Sequence, residues 1–189
     1  MMDIDSDLTF FSLECEVQRI IRDCWINIGL YKINTDGSLD VTGNVKFAEN
    51  MNFTTDIPLV FNKVSGDFDC SRMNLRSLKG SPKEVGGVFN CTFNQLESLA
   101  YVPKIAHRFI FDNTVQSLCT GGVNCQFDGV TLLHLSDNFP KVLPEKISSN
   151  YMYLKTFFKY QNYYCVWNHQ ELNEKNFDLL INDIQEGLK

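Results

Sequence analysis

No stretch of this 189-residue chain approaches the ~18 consecutive apolar residues that a bilayer-spanning helix needs, which excludes a transmembrane helix. Basic charge is also scarce: 17 Lys and Arg stand against 23 Asp and Glu, for a net charge of −6. A nucleic-acid or anionic-membrane surface needs a basic patch, so neither partner is expected. The acidic excess is mild and spread along the chain, as solubility requires and DNA mimicry does not. Histidine is limited to His107, His134 and His169. The chain lacks a P-loop, a GxGxxG, an HExxH and a GxSxG, and Gly121-Gly122 is an isolated turn pair rather than a phosphate cradle.

Cysteine is present but does not read as a disulfide framework. The seven residues, at 15, 24, 70, 91, 119, 125 and 165, are an odd count. The opening MMDIDSDLTF is acidic where a secretory leader would be basic. Free thiols in a reducing, cytoplasmic setting are therefore expected. Metal binding by Cys119, Cys125, Cys165 and His169 is disfavoured, because C-x5-C and C-x3-H do not match zinc spacings. A Cys165–His169 thiolate pair lacks any flanking signature, so a packed cysteine beside a surface histidine is the expectation. No metal, no cofactor and no catalytic residue are expected.

What the chain does contain is a repeat. VSGDFDCSRMNLRSLKGSPKE, from Val64 to Glu84, is followed directly by VGGVFNCTFNQLESLAYVPKI, from Val85 to Ile105, at an offset of 21 residues. Val64/Val85, Phe68/Phe89, Cys70/Cys91, Leu75/Leu96, Leu78/Leu99 and Pro82/Pro103 coincide. A period of this length with this apolar spacing predicts a stacked solenoid. Val41 to Pro58 aligns as a degenerate earlier copy at an offset near 23, with Val45, Phe47 and Phe53 in the slots of Phe68, Cys70 and Leu75. HRFIFDNTVQSL continues the series through Phe109, Phe111, Val115 and Leu118, and CQFDGVTLLHL through Cys125, Phe127, Val130 and Leu132.

The flanks read as caps. Leu13, Val17, Ile20, Ile21 and Cys24 recur at helical spacing after Ser12, a candidate N-cap. WINIGLYKI and LDVTGNV flank the turn Thr35-Asp36-Gly37-Ser38 as a hairpin. The aromatic run from Tyr151 to Trp167 predicts one or two strands that close the last repeat. Leu172, Phe177, Leu180, Ile181 and Ile184 predict a terminal helix. The expected division is 1–40 as N-terminal cap, 41–135 as solenoid and 136–189 as C-terminal cap. The expected fold class is α+β, a short leucine-rich-repeat-like solenoid with parallel strands.

Within the second copy, Phe89-x-Cys91-x-x-Asn94-x-Leu96 fits the leucine-rich spacing L-x-L-x-x-N-x-L. The first two positions then point inward, and Asn94 bonds neighbouring backbone where the strand bends. The first copy has Met73 in that slot, so the asparagine ladder is imperfect. SLKGSPKEVGGVFNCTFNQLESL resembles the leucine-rich-repeat-like modules of tailed bacteriophages and some bacteria, which repeat SLxGxPxxVxGxFxCxxNxLxSL. The resemblance covers residues 31–118. It implies a phage or prophage origin and an interaction role rather than a reaction.

If the Phe and Cys positions face inward, their neighbours form outward columns: Asn44, Asp67, Val88, Arg108; then Lys46, Asp69, Asn90, Ile110; then Ala48, Ser71, Thr92, Asp112. The candidate partner-binding set is Asp67, Asp69, Val88, Asn90, Phe93, Arg108, Ile110 and Asp112. The expected function is non-catalytic binding of a protein, a host or anti-phage defence factor that a phage-encoded chain would inhibit. The alternatives are a small enzyme or small-molecule-sequestering protein with its site in the C-terminal third, and a virion assembly component. Homo-oligomerisation is left open.

Overall fold

A computed structural model describes residues 4–49, 55–136 and 138–189, with side chains from residue 11 onward. The chain opens with helix α1 (Ile4–Asp23). The helix begins well before the expected cap at Ser12, because no Gly or Pro in the preceding segment interrupts it. It ends where Trp25 takes a left-handed conformation, φ 49°, and Ile26 N–H reaches back to the Ile21 carbonyl at 2.9 Å.

Strands β1 (Asn27–Ile33) and β2 (Leu39–Lys46) form the expected antiparallel hairpin. Its turn is fixed by Gly37 at φ 80° and by Asp36 Oδ1, which accepts from Ser38 N–H at 3.0 Å and Ser38 Oγ–H at 2.6 Å. From β2 onward the chain coils in one sense. Strands β3 (Phe61–Val64), β4 (Phe68–Asp69), β5 (Glu84–Asn90), β6 (Ile105–Asp112) and β7 (Gln126–Leu133) are added in parallel. The result is a β-solenoid of about four turns with helices at both ends.

Two inward columns carry the core. Val41, Val64, Val85, Ala106 and Phe127 are paired in register, as are Val45, Phe68, Phe89, Phe109 and Val130. Phe68, Phe89 and Phe109 are fully buried, with centroid separations of 5.6 and 5.9 Å along the spine. Leu75, Leu78, Leu96, Leu99 and Leu118, all 0% exposed, close the opposite wall. Burying each such side chain contributes about 1.5–3 kcal/mol. Phe53, assigned to this wall by sequence, lies outside the described residues.

Between the two columns the strands bulge, and here glycine is obligatory. A Cβ on Gly66 would meet Asn44 Oδ1 at 2.1 Å, and one on Gly87 would meet Asp67 Oδ1 at 2.1 Å. Those oxygens clip one rung to the next, Asn44 Oδ1 accepting from Asp67 N–H at 2.8 Å and Asp67 Oδ1 from Val88 N–H at 2.7 Å. A larger residue at either glycine would displace the clip.

The C-terminal third corrects the expectation of strands. Residues 151–160 form a 3₁₀ turn (Tyr151–Tyr153) and helix α3 (Leu154–Tyr160), preceded by the short helix α2 (Glu145–Ser148). Leu154, Phe157, Phe158 and Gln161 are the buried positions, the 3.6-residue period of one helical face. Phe158 meets Phe109 and Phe127 edge-on at 5.5 and 5.6 Å, closing the last rung as expected of the aromatic run. A two-residue hairpin, β8 (Trp167–Asn168) with β9 (Glu171–Leu172), leads into the expected terminal helix α4 (Glu174–Gln185). Asn173 caps that helix, accepting from Asn176 N–H at 3.2 Å.

Candidate binding cleft

Two of the expected outward columns are present with their polar atoms largely occupied, while the third, Ala48, Ser71, Thr92 and Asp112, is not outward, because Thr92 and Asp112 are buried. Lys46, Asp69, Asn90, Ile110 and Thr131 are paired in register across five rungs. Asp69 Oδ1 accepts from Ser71 N–H at 3.1 Å, and Asn90 Oδ1 from Thr92 N–H and Oγ–H at 3.2 and 2.9 Å. Asp67 is held in its clip to Val88. Val88 and Ile110 are half-buried, while Arg108 is exposed. This face is therefore mostly a set of turn caps and rung clips.

Asp112 requires a correction. It is 1% exposed, not a surface contact. The third coil carries two extra residues through Ile110 and Phe111, so Asp112 takes the role that Asn90 has one coil earlier. Its Oδ1 accepts from Thr114 N–H at 3.0 Å and Oγ–H at 2.6 Å, and its other oxygen from Phe93 N–H. Asp112 clips the third coil to the second.

Phe93 stands apart from the other candidates. It lies just past the strand ends, at the floor of a cleft of about 510 Å³ lined also by Arg72, Asn74, Gln95, Gln116 and Phe139. The Arg72 guanidinium carbon is 4.2 Å above the centre of the Phe93 ring. Phe139, from the segment after β7, meets Phe93 edge-on at 5.7 Å and is 41% exposed. The floor is rigid because Asn94, 5% exposed, is saturated beneath it. Asn94 Oδ1 accepts from Met73 N–H and Leu75 N–H at 3.1 and 3.0 Å, and Nδ2 donates to the Cys70 and Cys91 carbonyls at 2.9 Å. This is the backbone role expected of the asparagine slot, with Met73 buried in the equivalent place.

Asn74, Gln95 and Gln116 recur every 21 residues and are exposed in one row, with Gln95 Nε2 donating to Asn74 Oδ1 at 2.6 Å. Arg72, Asn74 and Phe93 have φ of 57°, 61° and 58°. Such left-handed positions are cheapest for Gly and Asn, so Arg and Phe there carry a conformational cost that their packing must offset. Sequence reading missed this row although its 21-residue spacing was visible. It could not supply Phe139, which the fold brings in from beyond the last repeat.

The cysteines are not part of any such site. Burial pushes the thiols of Cys70, Cys91 and Cys125 up, the last to about 12. Cys165 and His169 are exposed, and no hydrogen bond joins them among the described residues. No group of three or more His, Cys, Asp or Glu is placed to hold a metal ion among the described residues. Comparison with protein-family models, curated proteins and solved structures finds no match.

Proposed function

We propose that the chain is a non-catalytic protein-binding module that engages its partner through the cleft at the strand ends. The observation that supports this reading is the exposed Phe139 set against the Arg72–Phe93 stack, above a floor held rigid by Asn94. Aromatic and Arg side chains on a rigid, partly buried base are the residues that dominate binding hot spots. Strand-face residues such as Asp67 and Asn90 are committed to internal bonds and add less. The resemblance to phage repeat modules favours a host or anti-phage defence protein as the partner, bound and inhibited in the bacterial cytoplasm.

The test is affinity capture from a bacterial lysate, followed by reconstitution with the purified partner and light scattering. The reading predicts a stoichiometric complex weakened about tenfold or more by Phe139→Ser. Arg108→Glu, which alters only the strand face, should change affinity by less than about threefold. The opposite pattern would move the contact to the strand face, and failure to retain any protein would count against a binding module.

A further inference from the structure

We infer that the cleft recognises an extended peptide segment of the partner that carries a carboxylate beside an apolar side chain. This rests on the protein-binding reading above and specifies the chemistry of what is bound.

Charge gives the first argument. Among the described residues lining the cleft, Arg72 is the only ionisable side chain, in a chain of net charge −6. Its ion pair with Glu49 is long, Nε to Oε2 4.0 Å, and both side chains are about half exposed. The Arg72 side chain lines the cleft, where a guanidinium can take a carboxylate with two parallel hydrogen bonds. Packing over the Phe93 ring, 4.2 Å from its centre, holds the guanidinium at that place.

The second argument is the row of carboxamides. Each one offers both donor and acceptor, as peptide backbone does. With Gln95 spending one N–H on Asn74, the Gln116 carboxamide and the remaining groups of Asn74 and Gln95 face outward. Rungs are ~4.8 Å apart, so three of them span about 10 Å, the length of three extended residues at ~3.3 Å each. Phe139 and Val142, 41% and 45% exposed, form the apolar wall for the neighbouring side chain.

A nucleotide fits less well. Phosphates are bound by several converging N–H groups, at a helix N-terminus or a glycine nest, and among the described residues this cleft has a single cation and neither device.

The probe is a randomised heptapeptide library selected on the immobilised full-length chain, in parallel with Arg72→Gln and Arg108→Glu. The wild type and Arg108→Glu should enrich Asp or Glu over Asn or Gln next to Phe, Leu or Ile. Peptides synthesised from that motif should bind Arg72→Gln about tenfold more weakly, and Arg72→Lys should not restore full affinity. Gln116→Ala, a second exposed position, should also weaken them. Identical motifs on the wild type and Arg72→Gln, or no enrichment at all, would overturn the inference. So would displacement of the selected peptides by ATP at equal concentration. If a protein partner is nonetheless captured in a Phe139-dependent way, the protein-binding reading survives the loss of this one.

Discussion

Phe68 and Phe89 lie on adjacent parallel rungs with their rings stacked nearly parallel, centroids 5.6 Å apart and planes inclined by 12°. Each also packs along the spine, Phe68 against Phe61 at 5.1 Å and Phe89 against Phe109 at 5.9 Å. Solenoid stability is carried by such nearest-neighbour contacts. Phe89→Ala should therefore cost about 3–5 kcal/mol. Hydrogen exchange should show the coils on either side of residue 89 loosening before α4. Uniform loss of protection would argue for a single cooperative core instead.

Asn94→Ala should be more damaging than its modest size suggests. It would strand the buried N–H groups of Met73 and Leu75, at about 1–3 kcal/mol each. Gln95→Ala, one residue on and exposed, should change stability by less than about 0.5 kcal/mol. Urea denaturation of the two variants checks the contrast.

One loop position recurs in left-handed conformation on three coils: Gly80 at φ 98°, Tyr101 at 68° and Gly122 at 86°. Two of the three are glycine, and Tyr101 is the misfit, its side chain 58% exposed. Tyr101→Gly should stabilise the fold by about 0.5–1 kcal/mol, the left-handed strain removed less the added chain entropy. Gly80→Ala should destabilise it, since a Cβ there would sit 2.5 Å from the Leu59 carbonyl oxygen. Thermal melts should shift in opposite directions.

The buried thiols give a pH signature. Burial raises the pKa of Cys70, Cys91 and Cys125 above the ordinary 9.0, to about 12 for Cys125. The folded state keeps these groups protonated where the unfolded chain would ionise them. Their contribution is complete below pH ~9 and is lost as pH rises toward the folded values, by about 1.4 kcal/mol per pH unit for each thiol. Urea midpoints should fall between pH 8.5 and 10.5, and Cys70→Ala with Cys91→Ala should flatten that fall. In the folded protein a thiol reagent should modify Cys15 and Cys165, both exposed, ahead of the three buried residues.

The solenoid was legible because the apolar slots of the two central copies recur at 21 residues, and alignment of the flanking copies to them placed the outward column Lys46, Asp69, Asn90, Ile110 that the strand register reproduces. Asp112 was misplaced because the 20-residue offset that holds at Phe89/Phe109 and Asn90/Ile110 was carried on to Thr92/Asp112, where two added residues at the end of β6 break it. Residues 151–160 were misread because aromatic enrichment suits strands, while Leu154, Phe157, Phe158 and Gln161 already carried helical spacing. The cleft was half visible. Asn74, Gln95 and Gln116 share the repeat period, but the apolar wall at Phe139 depends on how the chain returns after β7, and no local pattern encodes that.

The most direct test of the cleft as the contact surface is hydrogen exchange on the reconstituted partner complex. Protection should rise at residues 72–75, 93–96 and 138–142 and stay unchanged along the strand face around Asp69 and Arg108. Protection confined to the strand face, with the segment at Phe139 exchanging as in the free chain, would contradict the account.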